Sequence, residues 1–187
     1  MTLYREQFRV ESARLKNWDY RSPGWYFVTV CTAGKRLVFG DVANGEMIHS
    51  ALGSNADAQL RAVPSHYKDV ILDAFVVMPN HMHAILVITG RHRYTPNAEL
   101  ETDRVGKVRA DGMPAPPSAG SLSAIVRSYK AGVTRWAVAN GSPGFKWQSR
   151  FYDHLLRTNR TVNAVRDYIR CNPMNWPQDE FYPGEKA

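Results

Sequence analysis

Two neighbouring apolar segments, DVILDAFVVM and HMHAILVI, constrain the fold of this chain more than any other feature. They are separated only by Pro79 and Asn80, and both are rich in β-branched and large apolar residues, which is typical of β-strands. Apolar residues occupy both alternating faces of each segment. Strands of that kind lie centrally in a sheet that helices cover on both sides. The sequence therefore predicts a sheet with these two strands at its centre.

The remaining elements alternate between strand and helix. WYFVTVCT, residues 25–32, predicts a first strand, and Asn44-Gly45 predicts a hairpin turn within RLVFGDVANGEMIHS. Helical spacing predicts helices over 52–67, 121–140 and 158–173, and WQSRFYDHLLR predicts a short strand or extended segment before the last helix. The predicted fold class is α+β, a ferredoxin-like sandwich with a mainly antiparallel sheet flanked by helices.

Length and local composition suggest one domain with two flanking segments. A chain of 187 residues can bury a core without disulfides or metals. We expect an N-terminal arm at 1–20, a folded domain at 21–176 and a C-terminal tail at 177–187. Residues 90–120 carry four prolines and little to bury, so we interpret them as a mobile loop within the domain.

Composition also predicts the compartment. No apolar run approaches the roughly 18 to 20 residues that a membrane span requires, and the polar start of the sequence lacks the apolar core of a secretory signal. Cys31 and Cys171 are far apart and show no metal-binding spacing, so we expect both to be reduced. These features predict a soluble, cytoplasmic protein.

The positive charge is concentrated in one part of the chain. The formal net charge is +7, and residues 121–176 alone contain nine Lys or Arg against two Asp, while the remainder is neutral. Trp136, Trp147, Phe151 and Tyr152 are interleaved with these charges and could stack on bases. A merely solvated basic face is the alternative, but the pattern favours binding of a polyanion.

His81 and His83 lie where the second buried segment begins. Residues two apart on a strand share one face, so the two imidazoles project together, with Met82 behind them. Neutral imidazoles side by side on a rigid strand can hold one cation. Taken alone, two hydrogen-bonded polar residues at the end of a strand are the more ordinary explanation.

Tyr168 and Asn172 are four residues apart on the last predicted helix, and so lie on one face of it. We expect that helix to be capped by Thr158 or Asn159 and to end at Asn172, because Pro173 disfavours helical geometry there. A phenol and an amide oxygen would then point the same way. Packing of the tyrosine ring is the alternative explanation for Tyr168.

Three motifs, MPNHMH, WQSRFYDHLLR and VRDYIRCNPMNW, occur in this order. Over residues 20–176 the chain thereby resembles the HUH single-strand transposases with one catalytic tyrosine, in particular the REP-associated tyrosine transposases of bacteria. The resemblance implies a ferredoxin-like fold and metal-dependent nicking and rejoining of single-stranded, hairpin-forming DNA.

The resemblance also implies roles for individual residues. It makes Tyr168 the nucleophile, which would form a 5′-phosphotyrosine bond, and His81 and His83 the metal ligands. Insertion-sequence members of the superfamily commonly carry glutamine four residues after the tyrosine, whereas this chain has the shorter Asn172 as the candidate third ligand. Mixed nitrogen and oxygen ligation indicates Mg²⁺ or Mn²⁺.

The partner predicted for this site is single-stranded DNA with hairpins, bound by a monomer or a homodimer.

Tyr129 is the rival nucleophile, although its neighbour one turn on is the apolar Val133. A non-catalytic DNA hairpin-binding protein is the alternative function, and a histidine-based phosphodiesterase leaves the basic segment unexplained. The candidate DNA-binding residues are Arg127, Lys130, Arg135, Lys146, Arg150 and Arg157.

Overall fold

A four-stranded antiparallel sheet forms the centre of the fold. The computed structural model describes residues 3–4, 7–8, 18–90 and 117–184. In chain order, its elements are β1 (Leu3–Tyr4), β2 (Gln7–Phe8), β3 (Gly24–Cys31), β4 (Gly40–Ala43), β5 (Glu46–His49), α1 (Ala51–Arg61), α2 (Val63–His66), β6 (Val70–Val77), β7 (His81–Ile88), α3 (Leu122–Ala139), β8 (Tyr152–Leu156) and α4 (Asn159–Cys171), with 3-10 turns at Ala33–Lys35 and Trp176–Gln178.

The strand order in the sheet is β6-β7-β3-β8, and each neighbouring pair is antiparallel. This arrangement confirms the predicted α+β class with a ferredoxin-like sheet flanked by helices. The central position expected for both apolar strands holds for β7 but is wrong for β6, an edge strand within the described residues. Ile71 of β6 is correspondingly exposed. Helices on both sides of β6 explain its apolar sequence, because α1 and α2 contact one side and α4 the other.

The helices divide between the two faces of the sheet. Helices α1 and α3 cover one face, where β3 residues such as Tyr26 and Val28 join the main core. Helix α4 covers the opposite face, where Val162 and Ile169 pack with Ile85 of β7. Because side chains alternate along a strand, each position of β7 is committed to one of these two environments.

Local sequence signals explain where several elements begin and end. Asn44 and Gly45 both have positive φ, as a two-residue hairpin between β4 and β5 requires. The helix predicted over 52–67 is divided at Ala62, just before Pro64 at the start of α2. Thr158 caps α4 in a capping box, as one of the two predicted caps.

The predicted flanking segments have different outcomes. Most of the predicted arm at 1–20, and residues 91–116 of the predicted loop at 90–120, lie outside the described residues. The predicted tail at 177–187 does not lie apart from the domain where it is described, since Asp179 and Phe181 are buried. No helix in the described ranges is long and apolar enough to cross a membrane.

Gly53 allows α1 to pack closely against the backbone at Phe39. Glycine inside a helix normally costs about 1 kcal/mol relative to alanine. Here, however, a Cβ at Gly53 would lie 1.9 Å from the backbone oxygen of Phe39. We therefore expect Gly53→Ala to lower the free energy of unfolding by roughly 1–3 kcal/mol, as overpacking does, in urea denaturation.

The matched control is Ser54→Ala, at an exposed position on the same helix, which should be neutral or slightly stabilising. A Gly53→Ala protein as stable as the parent would show that α1 can shift away from Phe39 without cost.

Candidate functional site

The candidate site is built around the beginning of β7. His81 and His83 project from the same face, the one covered by α4, and their ring centroids are 4.5 Å apart. The predicted side-by-side placement of the two imidazoles is therefore present. Both side chains are almost completely buried. Burial is the main cause that lowers the pKa of each to about 3, with a smaller contribution from the positive charge of Lys35 for His81 and from the neighbouring His81 for His83. Both imidazoles are thus neutral at physiological pH.

Asn80 sets the tautomer of His81. The Nδ2 atom of Asn80 donates to the backbone oxygens of Phe181 and Lys35, at 2.8 and 3.2 Å, which fixes the orientation of the amide. Its Oδ1 atom, 2.8 Å from Nδ1 of His81, can therefore only accept. Nδ1 must carry the hydrogen, and the lone pair of a neutral His81 is on Nε2. Within the described residues, that buried Nε2 atom has no hydrogen-bond partner.

The side chain of His83, on β7, contacts residues of both β3 and α4. Its Nδ1 atom is 2.8 Å from Oγ1 of Thr29, the residue that pairs with it across the sheet. Its Nε2 atom is 3.1 Å from the hydroxyl oxygen of Tyr168. The ring of Phe27 stacks on His83 at a centroid distance of 5.2 Å. The second imidazole is thus held on one side by the sheet and contacts the candidate nucleophile on the other.

Helix α4 brings Tyr168 and Asn172 to the same carboxylate, as their shared helical face predicts. The Tyr168 hydroxyl donates to Oδ2 of Asp179 at 3.3 Å, and Nδ2 of Asn172 donates to the same oxygen at 2.9 Å. An ion pair between Arg166 of α4 and Asp73, at the irregularity in β6, holds the helix on the sheet. The helix therefore has a defined position relative to the histidines.

Asp179 is the site residue that sequence reasoning missed. It follows the 3-10 turn Trp176–Gln178 and is buried, with Oδ1 accepting from the backbone N–H of Phe181 at 2.7 Å. The Phe181 ring packs against His81 at a centroid distance of 4.5 Å. The only signal in the sequence was a carboxylate close to an aromatic residue shortly after the motif VRDYIRCNPMNW. Assigning residues 177–187 to a tail hid that signal.

The donor atoms suit a divalent cation. Ligand atoms of His81, His83 and Asp179 lie within 4.8 Å of one another. Ligands bound at roughly 2.1 Å lie at most about 4 Å apart, so only a small inward movement is required. The Oδ1 atom of Asn172 is buried and has no hydrogen-bond partner among the described residues. It is therefore a fourth candidate donor, and Asn172 as a metal ligand stays a prediction.

Tyr168 is the exposed member of the cluster, with 42% of its surface accessible. Burial of the hydroxyl end, followed by the charge of Asp179, raises the pKa of Tyr168 above its usual value. The phenol is therefore protonated at neutral pH. Any reaction of this hydroxyl as a nucleophile requires a proton acceptor, and Asp179 and His83 both lie within hydrogen-bonding distance.

The rival tyrosine lies elsewhere. Tyr129 is buried in the core between the sheet and α3, against Trp147. Its hydroxyl is buried without a hydrogen-bond partner among the described residues, and burial raises its pKa. Since α3 and the histidines are on opposite faces of the sheet, Tyr129 is not part of the cluster around His81 and His83.

The candidate DNA-binding residues form two groups. Arg127, Lys130 and Arg135 are on α3, on the face of the sheet away from the histidines. Lys130 is half-buried and donates to the backbone oxygen of Gln148, whereas the two arginines are exposed. The other three residues are exposed and lie shortly before or after β8, which is at an edge of the sheet among the described residues: Lys146, Arg150 and Arg157.

Comparison with known proteins supplies one close relative and one fold. No family model matches the sequence. An uncharacterized protein of Haemophilus influenzae is 35% identical over 171 residues, 91% of this chain and 92% of the relative. The solved structure of a REP-associated tyrosine transposase bound to a REP hairpin is 19% identical with a TM-score of 0.56, over 89% of this chain and 74% of that one. A candidate transposase from Deinococcus radiodurans, 14% identical over 87% of this chain and 96% of that one, has a TM-score of 0.46.

Replacing Asn80 tests the geometry around His81. We expect Asn80→Ala to weaken Mn²⁺ binding by roughly 10- to 100-fold in isothermal titration calorimetry, because His81, a candidate ligand, loses the partner that fixes its tautomer. Asn80→Asp keeps the acceptor for Nδ1 but loses the donor to Phe181 and Lys35, and should retain more of the affinity.

The matched control is Asn175→Ala, at an exposed asparagine whose side chain makes no capping bond. Unchanged Mn²⁺ affinity in a folded Asn80→Ala protein would contradict the role assigned to the amide.

Proposed function

The chain belongs to one family with the Haemophilus influenzae protein and has the fold of a REP-associated tyrosine transposase, and on this basis we propose that it nicks and rejoins single-stranded DNA. The observation that carries the proposal is the position of the Tyr168 hydroxyl, 3.1 Å from Nε2 of His83 and 3.3 Å from Asp179. The exposed tyrosine, the neutral histidine pair and the buried carboxylate together supply a nucleophile, metal ligands and a proton acceptor.

The proposed reaction is a transesterification at phosphorus. The Tyr168 oxygen forms a bond to the scissile phosphorus, and the bond from phosphorus to the 3′ oxygen breaks. The phenolic proton passes to Asp179, whose Oδ2 atom already accepts from that hydroxyl. The departing 3′ oxygen takes up a proton, and the 5′ phosphate remains joined to Tyr168. Attack by a 3′ hydroxyl on this phosphotyrosine reverses the step and rejoins the strand.

The raised pKa of Tyr168 means that the phenolate needed for attack has to be stabilised at neutral pH. His81 and His83 would hold a divalent cation, Mg²⁺ or Mn²⁺, together with an oxygen of Asp179 or Asn172. Bound there, such a cation would supply positive charge beside the phosphate and the phenolate. The neutrality of both imidazoles leaves their lone pairs available for this role at physiological pH.

The proposed substrate is hairpin DNA with a single-stranded flank. The solved transposase of the same fold is bound to a REP hairpin. In this chain, exposed arginines on α3 and the tyrosine on α4 are on opposite faces of the sheet. DNA that contacts both must pass around an edge of the sheet, and Lys146, Arg150 and Arg157 flank the edge strand β8. We propose that the strand crosses at this edge.

Covalent trapping tests the proposed chemistry. Incubation with hairpin DNA and Mn²⁺ should yield a protein–DNA adduct that survives denaturing gel electrophoresis. Tyr168→Phe should abolish the adduct while leaving the fold and DNA binding intact, since only the hydroxyl is removed. EDTA, or His81→Ala combined with His83→Ala, should abolish it as well.

The matched control is Tyr129→Phe, which removes a buried hydroxyl that has no hydrogen-bond partner among the described residues. This replacement should leave both the stability of the protein and the yield of the adduct unchanged. An adduct at Tyr129 would overturn the site assignment. Salt-sensitive hairpin binding without an adduct on any substrate would instead favour the non-catalytic binding protein.

Salt dependence tests the charged surface. Each phosphate contact contributes roughly 0.7 to 0.9 to the slope of log K against log salt concentration. Arg127→Gln combined with Arg135→Gln should therefore reduce the slope by about 1.4 to 1.8 in fluorescence anisotropy titrations, if each arginine contacts one phosphate.

Lys68→Gln provides the comparison, because Lys68 is exposed and lies outside the basic segment 121–176. A slope that is equally unaffected by the arginine and lysine replacements would show that α3 does not contact the DNA.

A further inference from the structure

A cavity of about 570 Å³ opens beside the candidate site, within the usual size range of ligand pockets. Phe27 and Thr29 of β3 line it on one side, and Tyr152 and His154 of the edge strand β8 line it on another. Phe181, from the segment after α4, contributes a further wall. The cavity is therefore at the edge where the DNA strand is proposed to cross the sheet.

The cavity shares its walls with the histidine pair. Thr29 contacts Nδ1 of His83, and the Phe27 ring lies against both His83 and Tyr168. The Phe181 ring, in turn, packs on His81. A nucleotide adjoining a phosphate at Tyr168 can therefore reach this cavity.

Strand register gives the distance between the two sites. Tyr152 pairs with Thr29, and Thr29 pairs with His83, so the three residues form one row across the sheet. Neighbouring strands are roughly 4.8 Å apart, which places the Tyr152 and His83 positions about 10 Å apart. A single nucleotide spans a distance of this order, so one nucleotide can bridge the two positions.

The lining chemistry favours a base over a phosphate. Tyr152 is 54% exposed, although it is a large aromatic residue, and the neighbouring His154 on the same strand face is also exposed. The one cationic side chain in the lining, Lys35, donates to the backbone oxygen of Glu180, and Glu180 and Asp153 are acidic. Aromatic faces without a surplus of positive charge suit a neutral, planar ligand.

We propose that this cavity binds one unstacked nucleobase of the single strand, next to the phosphate that Tyr168 attacks. The proposal rests on the proposed function and adds a site that selects the position of cleavage. Tyr152 provides the stacking surface at the mouth of the cavity. Stacking of the base there holds the adjoining phosphate in register with Tyr168, so the subsite positions the substrate without taking part in the chemistry.

Fluorescent hairpin oligonucleotides provide the test. A panel carries 2-aminopurine at successive single-stranded positions, and binding is followed with Tyr168→Phe protein so that no cleavage intervenes. Fluorescence should be quenched at one position by stacking. Adding Tyr152→Ala should remove this quenching and weaken binding by roughly 5- to 100-fold, as loss of a base–aromatic stack does, whereas Tyr152→Phe should preserve both.

The matched control is Ile71→Ala, on the opposite edge strand, where Ile71 is 52% exposed. This replacement should leave the quenching unchanged. Cleavage is then measured with proteins in which Tyr168 is intact. An abasic nucleotide at the quenched position should slow cleavage by the parent protein, but it should not slow cleavage by the Tyr152→Ala protein any further.

Two outcomes overturn the subsite. One is quenching that persists in the Tyr152→Ala protein. The other is an abasic nucleotide that slows cleavage by the same factor in the Tyr152→Ala protein and in the parent. Failure of the proposed function looks different, because the protein with Tyr168 intact would then form no adduct on any hairpin. The fluorescence readout decides the subsite in that case as well, since it does not depend on cleavage.

Discussion

Burial of β7 on both faces is the constraint on which the rest of the structure depends. All eight residues of His81–Ile88 are buried, so helices must cover the sheet on both sides. Helices α1 and α3 cover one face of the sheet, and α4 covers the other. The same constraint places His81 and His83 beneath α4, where polar groups have to find partners within the protein. A strand with one solvated face would have left the two imidazoles in water.

Burial determines the chemical state of the site. Unpaired polar groups are costly in a protein interior, and the two Nδ1 atoms are accordingly paired with Asn80 and Thr29. Desolvation keeps both rings neutral. Two buried atoms of the candidate site, Nε2 of His81 and Oδ1 of Asn172, have no hydrogen-bond partner among the described residues, and both are atoms of the kind that metals bind.

The sheet separates the candidate site from much of the positive charge. The tyrosine, the histidines and Asp179 share one face, while Arg127 and Arg135 are on the helix that covers the other. The edge strand β8 connects these regions, because basic residues flank it and its side chains reach the cavity beside Tyr168. The path proposed for the DNA strand crosses the sheet at this edge.

The sequence by itself determined most of the elements and two pairs of candidate site residues. Period-two and helical spacing identified the strands, α3 and α4, and the same periodicities placed His81 beside His83 and Tyr168 in line with Asn172. These relations are local, within four residues along the chain, and backbone geometry alone dictates them. Only the tertiary structure decided that β6 is an edge strand, that α3 and the histidines are on opposite faces, and that Asp179 joins Tyr168. Each of these depends on which distant segments pack together, and spacing along one chain carries no information about that choice.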